Sequence, residues 1–246
     1  MEREHRSVLT LFTAETFTVG AAFRLDAGAA HHVEVRRAKV GDRVRLLDGR
    51  GAVGRGSILD LKKGGVQVGV EAVENMPPPI PLEVVVPVAD RERMLLAAEK
   101  CVELQVTVWR PAYFARSRSV GTRGEGDKFR QKVHARMQSA LEQSGGGWLP
   151  IVQEEVDAAR ALESAGGFAR FLLDAAGTPM LSQQFNGGGA ALAVGPEGGF
   201  ERRELDTAAA LGWTAASLGT TTLRFETAII AGAAVIRAAQ LRPGRT

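Results

Sequence analysis

The residues best suited to chemistry lie on two glycine-containing loops that each follow a short apolar segment. The first loop, residues 195–199, reads Gly-Pro-Glu-Gly-Gly and follows 191–194, while the second spans 218–223. Glycine lets backbone approach a ligand closely and adopt dihedral angles closed to other residues. Helix-prone segments begin straight after the loops, at Glu201 and near Glu226. Strand, glycine loop and helix build a ligand crevice at the carboxyl ends of parallel strands, so we predict that both loops share one ligand.

Alternating strands and helices position these loops. β-Branched apolar runs predict strands, and apolar residues at four-residue spacing predict helices. This alternation indicates an α/β fold with a mainly parallel sheet and helices on both faces. The predicted strands are 82–88, 107–114, 169–174, 191–194 and 215–218, and the predicted helices are 91–104, one through Phe129 and Leu141, one after Glu201, and 227–241.

The chain before these elements predicts a separate, β-rich unit. Segments 44–47 and 52–59 flank Asp48-Gly49, which is a hairpin signal, and 66–72 alternates like a half-buried strand. Residues 76–81 contain four prolines, which continue neither a helix nor a central strand. We therefore predict a domain over 1–75, a proline-rich linker over 76–81 and a second domain over 82–246.

Basic residues are concentrated in the middle of the first unit. Arg36, Arg37, Lys39 and Arg43 are four of them. Such a cluster is either a solvated charged face or a contact surface for RNA phosphates, and the chain's formal net charge of +3 is compatible with both.

Composition excludes several classes of protein. A chain of 246 residues that is 45% hydrophobic and 24% charged is typical of globular proteins, and Cys101 cannot form an intrachain disulfide because it is the only cysteine. Neither a dinucleotide fingerprint, a P-loop, a zinc-protease motif nor a nucleophile elbow occurs, so no metal is expected. The charged start lacks the apolar core of a signal peptide and no apolar run is long enough to span a membrane, so we expect a cytoplasmic protein.

The last predicted helix is apolar on nearly every side until Arg237. A helix without a polar face must be covered all round. A second copy of the chain could supply that cover, which predicts a homodimer, and burial within one chain is the alternative.

The two loops also resemble those of a known family. Val194-Gly-Pro-Glu-Gly-Gly-Phe200, in register with Leu218-Gly-x-x-x-Leu-Arg-x-Glu-Thr-Ala228, is similar to the RsmE family of SPOUT (trefoil-knot) RNA methyltransferases. The resemblance covers the whole chain. Glu99-Lys-Cys-Val-Glu-Leu104 resembles the family's Gln-Lys-x-x-Glu-Leu helix, and Glu142-Gln-Ser-Gly145 matches a further segment.

This resemblance implies a fold and an activity. The N-terminal unit would be a small PUA-like β-barrel that binds RNA, and the C-terminal part would be a SPOUT domain whose chain is knotted. The family methylates N3 of a uridine in the 16S ribosomal RNA of the small subunit with S-adenosylmethionine. The residues that would hold this cofactor are Leu173, Gly195, Pro196, Glu197, Gly198, Leu218, Gly219, Thr220, Leu223 and Arg224.

Methylation of uracil N3 requires a proton acceptor, and also a cation facing the oxygen where negative charge accumulates. Glu226 is the predicted acceptor and Arg224 the predicted cation. Glu226 could instead stabilise its helix through the dipole and pair with Arg224. Arg36, Arg37, Lys39, Arg43 and Arg116 would contact RNA phosphates. Two other activities remain possible: ribose 2′-O-methylation, as in a related knotted group, and RNA binding without catalysis.

The chain departs from the family pattern at four positions. Gly146 and Trp148 stand where the family usually carries arginines, which puts a phosphate contact there in doubt. Trp148 could stack on a base or pack against the protein. Glu34 and Gln105 replace the family's more frequent arginine and glycine.

Overall fold

A computed structural model describes residues 8–25, 27–62, 65–117, 122–166, 169–182, 185 and 188–241. Its contacts divide the chain into two compact units. The first contains residues 1–78 together with 141–148, and the second contains 79–140 and 149–246. The charged start of the chain and the centre of the turn at 62–65 lie outside the described residues.

The first unit is a five-stranded, mostly antiparallel sheet. Its strands follow the order β1-β3-β4-β5-β2, and only the β1–β3 pair is parallel. The predicted hairpin at Asp48-Gly49 is confirmed as the β3–β4 connection. The elements are β1 (Leu9–Phe12), β2 (Ala22–Leu25), helix α1 (Ala27–Val35), β3 (Arg43–Leu47), β4 (Ala52–Lys62) and β5 (Gly65–Asn75).

Helix α1 was not predicted, because its sequence has little polar and apolar segregation. It packs on β5 and buries Ala29 and Val33, one turn apart, in the core of the unit. The helix ends at Val35, and Arg37 in the turn that follows has φ +52°. The Arg37 N–H donates to Glu34 O and the Ala38 N–H to Val33 O, which is a Schellman cap.

Residues 141–148 are held in the first unit by hydrogen bonds to its strands and loops. The Phe12 N–H donates to the Glu142 carboxylate at 2.8 Å, and Arg45 donates to Gly145 O at 2.9 Å. The Trp148 indole N–H donates to Met76 O at 3.1 Å. The last turn of a long helix, Asp127–Ser144, and the four residues after it thereby become part of the N-terminal fold.

The second unit contains a parallel sheet, as predicted. Strand order is β12-β10-β11-β6-β7-β8, with β9 also paired to β7. The strands are β6 (Leu82–Pro87), β7 (Val108–Tyr113), β8 (Ile151–Val152), β9 (Val156–Asp157), β10 (Ala169–Pro179), β11 (Ala190–Val194) and β12 (Thr214–Ser217). The helices are α2 (Arg91–Glu103), α3 (Asp127–Ser144), α4 (Ala158–Ser164), α5 (Arg202–Ala210) and α6 (Phe225–Gln240). A 3-10 turn lies at Met180–Ser182.

Helices cover both faces of this sheet. Ala191 and Ala193 of β11 share a buried cluster with α4 and α5, whereas Leu192 points to the other face, against Gly232 of α6. Alternate residues of a strand face opposite sides of a sheet, so α6 lies opposite α4 and α5. Helix α6 also packs against α2. The predicted helices on both faces are therefore confirmed.

Arg237, the first charged residue of α6 after its opening turn, is buried in this packing. Its guanidinium donates to the carbonyls of Ile80, Leu104 and Gln105. Burial lowers the pKa of the Arg237 side chain. Gln105 lies just after the end of α2 and has φ +54°. Glycine adopts this left-handed conformation without strain. Arg237 thus fixes the end of α2 at the position where the related family more often has glycine.

Candidate functional site

A cavity of about 330 Å³ opens at the carboxyl ends of β11 and β12, beside the middle of β10. It has the location that the two predicted glycine loops required. Its walls are the middle of β10, the loop after β11, the loop after β12 and the start of α6. They comprise Leu173, Asp174, Ala175, residues 194–200, 216–219 and 221–223, Phe225 and Ala228.

The loop after β11 is a tight turn. The Gly199 N–H donates to Pro196 O at 2.8 Å, and Gly199 has φ +71°. A residue with a side chain would be strained at that angle, so this glycine is required by the turn. The turn leads to Glu201 at the start of α5, whose backbone N–H donates to the Glu204 carboxylate at 2.7 Å.

The opposite wall depends on an irregularity in β10. Leu173 and Thr178 both pair with Ala216 of β12, and residues 174–177 bulge between them. A Cβ on Gly177 would lie 2.6 Å from the Ala216 nitrogen. Close backbone approach at Gly177 therefore places Asp174 and Ala175 against the cavity.

Most residues predicted to hold the cofactor line this one cavity. They are Leu173, Gly195, Pro196, Glu197, Gly198, Leu218, Gly219 and Leu223. Thr220 and Arg224 are not among its lining residues, although both belong to the same loop. Cofactor binding remains a prediction for all ten residues.

The two predicted catalytic side chains have different environments. Arg224 is exposed and is the N-cap residue of α6. Glu226 is only 6% exposed, and its Oε2 is buried without a hydrogen-bond partner among the described residues. Its ion-pair contact is with Arg93, whose Nε lies 4.0 Å from Glu226 Oε1, and not with Arg224.

Arg93 is a site residue that the sequence did not identify. It lies in the first turn of α2, where its N–H donates to the capping carboxylate of Asp90. Its guanidinium contacts Glu197 Oε1 at 3.3 Å, in addition to the longer contact with Glu226. One cation therefore joins the first glycine loop to the start of α6.

A second cavity, of about 590 Å³, adjoins the first. Glu197 and Gly198 line both. Arg93 and Arg116 supply the cationic side chains of the second cavity. Arg116 is exposed and donates to Gly198 O at 3.0 Å.

The predicted RNA contacts belong to different units. Arg116 lies in the second unit, whereas the other four belong to the first. The side chain of Arg43 is 76% exposed and lies 3.8 Å from Glu71. Arg36, Arg37 and Lys39 are exposed around the end of α1. Contact with RNA stays a prediction for all five.

Trp148 is packed against the protein. Its ring lies so close to Gly51 that a Cβ there would be 2.6 Å from Cζ2. With the indole N–H bonded to Met76, this packing favours the structural alternative over base stacking. Gly146 has no side chain to replace the missing cation.

The described part of the chain contains no group of three or more His, Cys, Asp or Glu side chains that could hold a metal ion. Within the same residues, no helix is long and apolar enough to cross a membrane.

Two family models match the chain. A model described as "RNA methyltransferase domain" matches residues 76–237, and one described as "RNA methyltransferase PUA domain" matches 25–71. The chain belongs to the RNA methyltransferase family. The RsmE-like resemblance of its sequence is thereby confirmed, and both cavities of this RNA methyltransferase lie within the matched catalytic domain.

Individual relatives agree with the family models. This RNA methyltransferase is 28% identical over 238 residues to the ribosomal RNA small subunit methyltransferase E of Synechocystis, which covers 93% of this chain and 77% of that protein. The Legionella pneumophila methyltransferase Lpg2936, solved with bound SAM, is 25% identical with TM-score 0.85 and coverage of 94% and 98%. The Neisseria gonorrhoeae methyltransferase E, also bound to S-adenosylmethionine, has the same fold, with TM-score 0.85, 23% identity and coverage of 94% and 97%.

Proposed function

We propose that this protein transfers a methyl group from S-adenosylmethionine to N3 of a uridine in the 16S ribosomal RNA of the small subunit, and that it acts in the cytoplasm. The observation that carries the proposal is the convergence of three neighbouring strands and both glycine loops on one cavity, with a buried glutamate just beyond the second loop. Family membership and the names of the relatives support the same activity.

The cavity fits the proposed cofactor. Its volume of about 330 Å³ lies within the ~300–1,000 Å³ range of small-molecule sites. Leu173, Leu218 and Leu223 provide apolar walls, while the loop at 195–199 offers backbone groups and the Glu197 carboxylate. When bound, S-adenosylmethionine supplies an electrophilic methyl group on a sulfonium.

The protein's own part in the reaction is to make uracil N3 nucleophilic. We assign Glu226 to accept the N3 proton, since its buried Oε2 lacks a donor and the uracil N3–H could provide one. Loss of the proton leaves negative charge on the O2 and O4 atoms, which a nearby cation stabilises. Arg93 is the cation placed near Glu226, and exposed Arg224 is the second candidate. A methyl group then replaces the proton on N3, and the proton leaves Glu226 for solvent.

The first unit would supply affinity for ribosomal RNA. Its PUA-domain match and its exposed basic residues at the end of α1 support this role. Arg37→Gly removes one cation and keeps the φ +52° turn, because glycine favours that conformation. Together with Arg36→Glu, it is expected to weaken RNA binding and leave cofactor binding unchanged, as measured by filter binding and calorimetry. Loss of cofactor affinity with intact RNA binding would contradict this role.

We further propose that a second copy of the chain covers the exposed face of α6. One face of the helix is already buried in the same chain through Phe225, Ile229 and Ile236. The other face is apolar; Ile230, Ala231, Ala234 and Val235 are partly buried there, and Ala238 is exposed. Sedimentation of the wild type and of Ala234→Glu tests the dimer: the variant is expected to be monomeric, and a monomeric wild type would contradict the proposal.

The decisive test is chemical. Small ribosomal subunits are incubated with the enzyme and labelled S-adenosylmethionine, and the RNA is then digested to nucleosides. The proposal predicts 3-methyluridine. A methylated ribose would show a 2′-O-methyltransferase instead, and absence of both cofactor binding and methylation would show an RNA-binding protein without catalysis.

A further inference from the structure

The geometry points to the second cavity, beside Arg93 and Arg116, as the subsite for the target uridine nucleotide, with Arg116 binding a phosphate that flanks the base. This inference rests on the proposed function, since it names the place where the RNA substrate enters that site. Three features of the second cavity support it: its position, the charge of Arg116 and its connection to Glu226.

The position of the cavity suits the acceptor. It shares Glu197 and Gly198 with the proposed cofactor cavity, so a ligand in one contacts the same loop as a ligand in the other. At about 590 Å³ the second cavity has the volume of a typical ligand site. A base to be methylated must be extruded from structured RNA into a pocket of this kind.

Arg116 carries the charge that would attract a phosphate. The acidic side chains of the cavity are engaged: Asp90 caps α2, Glu197 contacts Arg93, and Glu201 lies 3.1 Å from Arg203. The guanidinium of Arg116 instead donates to a neutral acceptor, the Gly198 carbonyl, and has no carboxylate within ion-pair distance among the described residues. Its positive charge is therefore not neutralised, and arginine binds phosphate oxygens well.

The cavity also leads towards the proposed proton acceptor. Arg93 lines it and lies 4.0 Å from the Glu226 carboxylate. A uridine whose phosphate contacts Arg116 would therefore have its base near Glu197, Arg93 and Glu226. The exposed position of Arg116 is compatible with a polymer entering from solvent.

Two variants test the subsite on the full-length protein. Arg116→Ala removes the charge, and Ala115→Trp fills the cavity without changing charge, because Ala115 lines it. Arg160→Ala is the matched control: Arg160 is exposed on α4, lines neither cavity and has no side-chain hydrogen bond in the described structure. The readouts are KM and kcat with small ribosomal subunits, the salt dependence of RNA binding, and calorimetric affinity for S-adenosylmethionine.

Arg116→Ala is expected to raise KM for the RNA at least tenfold. One lost phosphate contact should reduce the slope of log affinity against log salt by about 0.7–0.9. Arg116→Lys should retain most of the slope, and Ala115→Trp should lose methylation while affinity for S-adenosylmethionine stays within twofold of the wild type.

Two results would overturn the subsite. The first is an unchanged KM and salt slope in Arg116→Ala, or normal methylation by Ala115→Trp. The second is weaker cofactor binding with an unchanged KM, which would mean that Arg116 only supports the loop through Gly198. Failure of the proposed function is distinguishable, because the wild-type protein would then produce no 3-methyluridine.

Discussion

Replacing Glu226 by glutamine separates a chemical role from a structural one. The carboxylate is 6% exposed, and one of its oxygens has no hydrogen-bond partner in the described structure. A buried acceptor without a donor costs about 1–3 kcal/mol. The 4.0 Å contact with a partly exposed Arg93 offsets little of this, since such pairs contribute roughly 0–1 kcal/mol.

We therefore expect Glu226→Gln to change the free energy of unfolding by no more than about 1 kcal/mol, because the ion pair lost is weak. Its kcat should nevertheless fall by about 10²–10⁴, the usual effect of losing a general base. Single-turnover methylation of small ribosomal subunits measures the rate of the chemical step. Urea unfolding of the same preparations measures stability.

Glu83 provides a matched control. Its carboxylate is similarly buried and lies 3.1 Å from Arg110. Glu83 and Glu226 both lie outside the residues that line the two cavities, but Glu83 is on β6 and pairs with Arg110, whereas Glu226 is next to the second glycine loop and contacts Arg93, which lines the second cavity. Glu83→Gln should lose about 1–3 kcal/mol of stability and retain the wild-type chemical rate. Near-normal methylation by Glu226→Gln, or a rate loss that merely follows unfolding, would refute the assignment of Glu226 as the base.

Four further predictions concern stability and burial. Gly177→Ala should reduce the free energy of unfolding by about 1–3 kcal/mol, because the added Cβ would collide with the backbone of β12. Gly219→Ala is the control: no atom lies within 4 Å of the added Cβ, so the free energy of thermal unfolding should change by less than about 0.5 kcal/mol. Arg237→Met should reduce the free energy of unfolding in urea by about 1–3 kcal/mol, because three partly buried carbonyls lose their donor. A smaller loss would show that water replaces the guanidinium. Gln105→Gly should increase the free energy of unfolding by about 0.5–1 kcal/mol, because glycine relieves the strain of the left-handed conformation. A decrease would contradict that reasoning. Burial raises the pKa of the Cys101 thiol and shields it from reagents. Alkylation of the native protein at pH 8 should therefore be at least about 100-fold slower than alkylation of the protein unfolded in urea. Rapid labelling of the native protein would be inconsistent with the described packing.

Local patterns predicted the parallel sheet and the loops well. The β-branched run at 82–88 could only be a buried strand, and it is β6 at the centre of the sheet. The glycine loop at 195–199 required close backbone approach, and the structure places it in the cavity wall. The strand and the loop are determined by residues that are adjacent in the sequence, so the sequence alone was sufficient to predict them.

Contacts between distant residues were not predictable in this way. Arg93 is 104 residues from Glu197, and nothing in the local pattern of α2 distinguishes it from other exposed arginines. The same is true of Trp148, which packs near Gly51, and of Glu142, which accepts from Phe12. Their roles follow from tertiary packing, and the threading of the chain stays a prediction for the same reason.

All walls of the cofactor cavity come from residues 173–228, in the last third of the chain. These residues follow the β-rich unit in the chain, and β12, which completes one wall, is at the edge of the sheet. A translation product that stops before residue 228 would contain the whole β-rich unit yet could not assemble the pocket for a methyl donor. Under the proposed function, such a product would keep the basic surface at the end of α1 and lose methyl transfer, so the two properties can be separated by truncation.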